Sequence, residues 1–371
     1  MIGKQGIART HRSPVGSGHK HANEGAFLLH AGGELLLFEP GYYSSQEREA
    51  LVYGDHHNII LVDGKGPDST SYGSNLFGVD AFIGDTLSRG SHGFTSIRTR
   101  YQDTDIERRA AVFGGRFVVL RDEATSASAH RFTQQLHGNG IRDDGTYTVD
   151  PSAQVATWSS GSMTLQAVVQ STSPALQFST ERRRHAPASR RFAEHDALYS
   201  SVTGSTALFH TVLYPSTTGS AFQSSTSRPT EGASLISLRT GSDQLVSLVN
   251  SNNSSISITV PQFGALSTDA LAFHCILDPA GRPESWMCDE GSSLVLEDQV
   301  LLSSSMPVRA LWESLPHMLR LTLRARERGT VRLRVPFSVR TIEGTGLESW
   351  SMEGSMLRLE LSGSSADLDI A

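Results

Sequence analysis

The sequence predicts an all-β protein: a large antiparallel β-sandwich followed by a second, smaller β-sandwich-like domain. Three observations predict it. Short runs of alternating or continuous β-formers dominate; glycine, serine and asparagine turns divide them; and sustained 3.6-residue periodicity is almost missing. With 371 residues, the chain can bury a sizeable core in two domains. Many strands at short spacing favour sandwiches over one small sheet.

The first legible element is the hairpin AFLLHAGGELLLF, which turns at Gly32-Gly33. Two glycines there accept the positive φ angles of a tight hairpin turn. After Pro40-Gly41-Tyr42-Tyr43, the run SSQEREALVY opens on Ser44-x-x-Glu47, a capping box that predicts a helix of about two turns. HNIILVDG reads as the next strand. A second hairpin, RRAAVFGGRFVVLRD, turns at Gly114-Gly115, and HRFTQQLH, MTLQAVVQS and ALFHTVLYP continue the strand pattern.

Residues 215–233, PSTTGSAFQSSTSRPTEGA, are rich in Ser, Thr, Gly and Pro and hold one large apolar residue. They read as a linker between a domain over 1–214 and a C-terminal β domain over 234–371. The latter offers amphipathic strands (QLVSLVN, SISITV, LRLTLRA, TVRLRVPF, MLRLELS) and no catalytic cluster, so it is assigned a structural role. Trp286, Trp312 and Trp350 are expected to pack rather than to stack on sugars.

Composition excludes some function classes. The formal net charge is −6 with basic residues scattered among the acids, so there is no basic field to hold nucleic acid. No apolar run approaches the roughly 18 residues of a membrane helix, and MIGKQGIARTHRSP lacks the apolar segment of a signal peptide. Neither a membrane partner nor a visible export address is expected. Cys275 and Cys288 could form at most one disulfide and sit in no metal-binding pattern; they are expected to be ordinary buried thiols.

Chemistry concentrates in residues 18–58, where His19, His21, Glu39, His56 and His57 crowd around two apolar runs. Neutral imidazoles and a carboxylate are a zinc ligand set, and three protein ligands leave a fourth position open. His21, Glu39 and His57 could supply one. Pairing Ala31 with Glu34 across the turn places Glu39 opposite Ala26, at the open end of the hairpin. Strand alternation then puts His21 on the other face from Glu39; a bulge or bend at Gly25 would restore them to one side. His30 and His56 are expected at the surface. The cluster Glu181-Arg182-Arg183-Arg184-His185 could meet an acidic sugar, but a solvated loop is the expected reading.

At these residues the sequence resembles the heparinase II/III-like polysaccharide lyases. Members carry a His-x-His-x-Asp segment leading into a hairpin, an Asp-x-Gly-Tyr-type turn, and a His-Asn pair opening a strand. Here stand His19-Lys20-His21-Ala22-Asn23, then Glu39-Pro40-Gly41-Tyr42-Tyr43, then His57-Asn58. The resemblance is strongest over 14–67 and runs more weakly to about 214. It implies a β-sandwich that follows an N-terminal helical toroid, with substrate in the cleft between them. It also implies that His19 faces the substrate, that His21, Glu39 and His57 bind zinc, and that Tyr42 or Tyr43 lies near a catalytic tyrosine. The implied activity is β-elimination on an acidic, uronic-acid-containing polysaccharide of heparan, chondroitin, hyaluronan or alginate type, in a periplasmic or secreted setting.

The sequence departs from the pattern at Asn23 and Glu39, where aspartates are usual, and at Tyr53, where an arginine often stands. No toroid precedes Met1, so the enzyme is expected to be incomplete as given. Two rival readings differ in class: a non-catalytic, zinc-stabilised module that binds acidic glycans, and a cupin-type metal oxygenase built on His19, His21 and Glu24.

Overall fold

The structure, a computed structural model, describes residues 2–3, 21–41, 49–67, 79–139, 145–188, 191–217, 219, 222–227, 232–241, 243–252, 254–260 and 264–371. Its described elements are antiparallel strands with one short α-helix and one 3-10 turn. The chain divides into two compact units, Met1–Ser220 and Ala221–Ala371.

The first unit carries β1 (Ile2–Gly3), β2 (Phe27–Ala31), β3 (Glu34–Leu37), the helix α1 (Glu49–Val52), β4 (Ile60–Val62), β5 (Ala81–Arg89), β6 (His92–Tyr101) and β7 (Thr104–Phe113). It continues with β8 (Phe117–His137), β9 (Thr146–Asp150), β10 (Val155–Ser160), β11 (Met163–Ser171), β12 (Gln177–Ala188) and β13 (Arg191–Thr217). Both expected hairpins form: Ala31 faces Glu34 across Gly32-Gly33, and Phe113 faces Phe117 across Gly114-Gly115. All four of those glycines have positive φ, as the turns require.

The main sheet runs β5-β6-β7-β8-β13-β11-β10-β9, with β12 and β4 added beside β13 and β8. Its two longest strands serve twice. The first part of β8 lies between β7 and the second part of β13, whereas its last part pairs His137 with Ala197 and Phe132 with Val202. A register shift between Gly204 and Thr206 separates the two stretches. Where alternate side chains turn inward, they form apolar clusters, of which two among the described residues frame the site. One joins the β2–β3 hairpin to Leu120, Leu136, Trp158, Leu165 and Leu213; the other holds Ile60, Tyr101, Phe132, Val202 and Phe209. Each such fully buried aliphatic or aromatic side chain contributes roughly 1.5–3 kcal/mol.

The hairpin is stitched to the end of β8. Leu37 bridges Gly138, Phe38 N–H donates to His137 O (3.2 Å) and Asn139 N–H to Leu36 O (2.9 Å). Gly138 has no alternative there, because a Cβ would lie 2.3 Å from the Trp158 ring.

The second unit is one hydrogen-bonded antiparallel network from Gln223–Ser227 to Ser365–Ile370. Trp286 and Trp312 stack inside its core with centroids 6.0 Å apart, whereas Trp350 is exposed on an edge strand. Cys275 and Cys288 are free and buried, and burial pushes both thiols well above their usual range.

Several expectations change. Residues 215–233 are not simply a connector: Pro215–Thr217 complete β13, and Gln223–Ser227 pair with Ala233–Arg239. The arginine cluster is no solvated loop but part of β12, where alternation exposes Arg182 and Arg184 and buries His185. Of the expected two-turn helix only Glu49–Val52 is described as helical, and its capping residues Ser44 and Glu47 lie outside the described residues.

Candidate functional site

The site is built at the open end of the β2–β3 hairpin. Ala26 N–H closes a turn on Asn23 O (3.0 Å), with Gly25 at φ +83°. The bend expected at Gly25 is there, but the bulge is elsewhere: Leu29 faces Leu37 while His30 faces Leu35, so Leu36 is the extra residue. That insertion moves everything beyond Leu36 by one position, which reverses the facing of the segment that ends in Glu39.

His21, Glu39 and His57 therefore meet. His57 Nδ1 hydrogen-bonds Glu39 Oε2, Asn23 Nδ2 donates to the same oxygen (3.1 Å), and the His21 and His57 rings lie 5.3 Å apart. Asn23, a departure from the family pattern, thus supplies a donor to another departure, Glu39. His57 is fully buried, and its Nε2 has no hydrogen-bond partner among the described residues. The donor chemistry suits zinc. Among the described residues, however, no three His, Cys, Asp or Glu side chains are disposed to enclose a metal ion. His19, Tyr42 and Tyr43 lie outside the described residues.

Two residues behind the site hold it in place. Asn58 Nδ2 donates to both Phe27 O (3.0 Å) and Phe38 O (3.1 Å), while its Oδ1 accepts from His137 N–H (2.7 Å), tying both hairpin strands to β8. Arg108 forms a two-point ion pair with Asp122 (2.7 Å each) and also donates to Gly25 O (2.8 Å) and Asn58 O (2.6 Å). Its guanidinium sits 4.8 Å from the Phe27 centroid. Gln134 Nε2 gives Asp122 a further donor at 2.7 Å.

Beyond Glu39, Pro40 O accepts from Ala186 N–H (2.6 Å), and Gly41 lies against β12 with φ +77°. A Cβ on Gly41 would sit 2.1 Å from Ala186 O. That close approach and the left-handed φ are the physical reasons for glycine in the Pro-Gly-Tyr-Tyr segment.

Beside this docking point lies a buried group of histidines that the sequence reading did not single out. His137 Nδ1 contacts His195 Nε2 (2.8 Å), and His195 Nδ1 contacts His185 Nδ1 (3.1 Å). Phe38 packs edge-on against His185 (4.9 Å) and His195 (4.6 Å). Burial lowers all three: His185 to about 4, His195 to about 2 with help from His185, and His137 well below the usual value with help from His195. They are neutral at physiological pH.

A cleft of about 360 Å³ opens nearby, lined among others by Asp55, Arg131, Glu181, Arg183 and Tyr199. Arg183 links three of these, donating to Tyr199 Oη (2.7 Å) and pairing with Asp55 (3.0 Å) and Glu181 (2.8 Å). Burial raises Tyr199 to about 12 despite Arg183, so its hydroxyl stays protonated. Burial opposes ionisation of Asp55, but the His56 hydrogen bond and the charges of His56 and Arg183 outweigh it and lower its pKa. His56 is consequently no free surface residue: its side chain is 11% exposed and bonded to Asp55 (3.0 Å). His30 is exposed as expected.

The missed residues were unequally legible. Arg108 and Asp122 face each other directly across the Gly114-Gly115 hairpin, so counting outward from that turn would have paired them. Nothing local joins His137 to His195, which are 58 positions apart. Glu24, the cupin-type ligand candidate, is buried, and its charge acts on Tyr101.

The heparinase II/III-like, C-terminal family profile matches residues 7–252, and the chain belongs to that family. No curated protein matches it. Solved structures show the likeness of fold. A heparan sulfate lyase HepC mutant from Pedobacter heparinus is 15% identical with a TM-score of 0.52, over 65% of this chain and 38% of that one. The unmutated HepC from the same organism is 15% identical with a TM-score of 0.51, over 63% and 37%. A heparinase III gene product is 14% identical with a TM-score of 0.50, over 61% and 36%. The alignments thus span little more than a third of those chains.

Proposed function

We propose that this chain is the sandwich portion of a polysaccharide lyase that opens uronic-acid-containing polysaccharide by β-elimination. The meeting of His21, Glu39, Asn23 and His57 at one hairpin end, in the family's order, carries the reading. The reaction has three requirements: the uronate carboxylate must be neutralised, the proton beside it removed, and the leaving oxygen protonated. Histidine and tyrosine suit the proton transfers, and donors or cations suit the developing enolate charge.

In this reading His19, two residues before His21, is the proton-transferring or carboxylate-neutralising residue, and Tyr42 or Tyr43 assists. Tyrosine starts from a pKa of about 10 and needs a positive or hydrogen-bonded setting to act as a base. His21, Glu39 and His57 would hold zinc, which would supply a positive charge between the segments that carry His19 and the tyrosines. The direct contact between His57 Nδ1 and Glu39 Oε2 and the Asn23 donation to Glu39 support an ion site oriented by a neighbouring amide. Arg183 is already committed to Asp55, Glu181 and Tyr199, so it shapes the cleft rather than offering a free charge. A helical partner domain belongs to the same proposal.

The test is a panel of heparin, heparan sulfate, chondroitin, hyaluronan and alginate, with ultraviolet detection of the unsaturated uronate, run beside elemental mass spectrometry. Expected are product formation lost in His19→Ala, and about one zinc per chain lost in His57→Ala. A second reading is a zinc-stabilised module for acidic glycans; binding without product would establish it. Neither product nor binding on any of these polysaccharides would overturn both.

A further inference from the structure

One face of the main sheet runs on from the candidate site. Thr133 of β8 faces both Leu61 of β4 and Ser201 of β13, and Tyr199 of β13 faces Ser179 of β12. Alternation therefore sets Arg131, Thr133, Tyr199, Ser179, Glu181 and Arg183 on one side. The cleft of about 360 Å³ lies over them, within the roughly 300–1,000 Å³ of small-ligand sites. Gln135, two residues after Thr133 on the same side of β8, donates to His57 O (3.3 Å) and Gly54 O (3.1 Å). Arg131 stands four residues before Gln135, about 13 Å along the strand.

The charged groups of the cleft are unequally committed. Arg183 is spent on Asp55 (3.0 Å), Glu181 (2.8 Å) and the Tyr199 hydroxyl. Asp63 pairs with His130 (2.7 Å) and accepts the backbone N–H of Arg131 (2.8 Å). The Arg131 guanidinium, by contrast, is exposed, makes one contact of 3.3 Å to Ser201 Oγ, and pairs with no carboxylate among the described residues. A planar fork of donors left open at a cleft matches a carboxylate in two-point geometry. Hydrogen-bond acceptors stand on the same face: the Glu181 carboxylate is 52% exposed, and Ser179 is exposed.

We propose that this cleft is a remote subsite for one uronate residue of an unsulfated acidic glycan, with Arg131 binding the carboxylate and Glu181 and Ser179 taking ring hydroxyls. The choice of a glycan rests on the proposed lyase function; the choice of an unsulfated uronate rests on the cleft. Three carboxylates, Asp55, Asp63 and Glu181, and two arginines line it, so a densely sulfated segment would meet like charge. A uronate brings one carboxylate for the one arginine of the cleft left unpaired among the described residues, and hydroxyls that donate to carboxylate oxygens. Beyond Asp63 a second cleft of about 860 Å³ opens, lined among others by Asp63 itself, Lys65 and Gln102, so the glycan has room to continue. Arg131 lies too far from the His57 end of the face to touch the reacting bond; it supplies binding energy from a distant part of the substrate.

The experiment is calorimetric titration of the full chain with alginate and hyaluronan hexasaccharides, each also in a form whose carboxylates have been reduced to alcohols. Arg131→Gln is compared with Arg182→Gln, which removes an exposed charge from the other side of β12. Expected is binding of at least one hexasaccharide, weakened roughly 10–100-fold by Arg131→Gln and by carboxyl reduction, and changed less than about twofold by Arg182→Gln. Wild-type affinity in Arg131→Gln, equal weakening in both variants, or no binding of either hexasaccharide overturns the subsite. If Arg131→Gln fails to fold, the reduced sugars decide on the wild type, and affinity that survives reduction overturns it. A heparin hexasaccharide that binds more tightly than both and depends on Arg131 overturns the unsulfated assignment. Binding of the expected kind without unsaturated product keeps the subsite and sinks the lyase reading. Product released from the polymer with the same KM in Arg131→Gln keeps the lyase and sinks the subsite.

Discussion

Replacing Arg108 with methionine keeps much of the side chain's length and removes its charge and donors. Asp122, fully buried, would lose both guanidinium contacts and keep only Gln134 as a donor. Breaking a buried ion pair from one side costs about 3–5 kcal/mol. Gly25 O and Asn58 O would also lose their Arg108 donors, at about 0.5–1.5 kcal/mol each, so about 4–8 kcal/mol is expected in all. In a unit of this size that lowers Tm by roughly 10–30 °C. Urea unfolding followed by circular dichroism reads the first consequence as a lower midpoint; on the proposed zinc reading, metal content measured in parallel reads the second, a loosened Asn23–Glu39–His57 cluster. The double variant Arg108→Met/Asp122→Leu buries no charge and should be more stable than Arg108→Met alone. A single variant within about 1 kcal/mol of wild type, or a double variant worse than the single one, would refute the view that this pair anchors the site.

Other outcomes follow from the same contacts. Gly41→Ala should undock the Pro40–Gly41 segment, because the methyl meets Ala186 O and φ is +77°; faster proteolysis near residue 41 checks it, and unchanged proteolysis counts against it. Asn23→Leu removes the donor to Glu39 and should weaken the proposed zinc binding about 10–100-fold, measured by competition with a chelator. Acid should destabilise both units. Burial holds His92, His185 and His274 at about 4, so between pH 4 and the unfolded value near 6.5 the unfolded chain binds more protons. The stability is fully present above that range and is lost as pH falls through it, by about 3 kcal/mol per group. His274→Gln, which removes the histidine bonded to Ser247 in the second unit, should flatten that unit's pH dependence in urea titrations; an unchanged slope would contradict the assignment.

What the sequence by itself determined was whatever depends on near neighbours. Alternation specified strands, paired glycines specified two hairpins, and the order His-x-His, Glu-Pro-Gly-Tyr-Tyr, His-Asn marked the chemically loaded stretch. Registers counted out from the Gly114-Gly115 turn even contain the Arg108–Asp122 pair, because opposite faces of a hairpin are fixed by the turn. The tertiary structure decided the rest. One extra residue, Leu36, reverses side-chain facing without changing composition, so its position could not be read; of the bulge or bend considered at Gly25, the bend is there. His137, His195 and His185 meet only because β8, β13 and β12 pair side by side; a pairing between strands far apart in sequence is selected by burial across the whole sheet, and no local pattern records it. The same holds for His56, whose expected exposure is replaced by a bond to Asp55 and, through it, to Arg183 of β12.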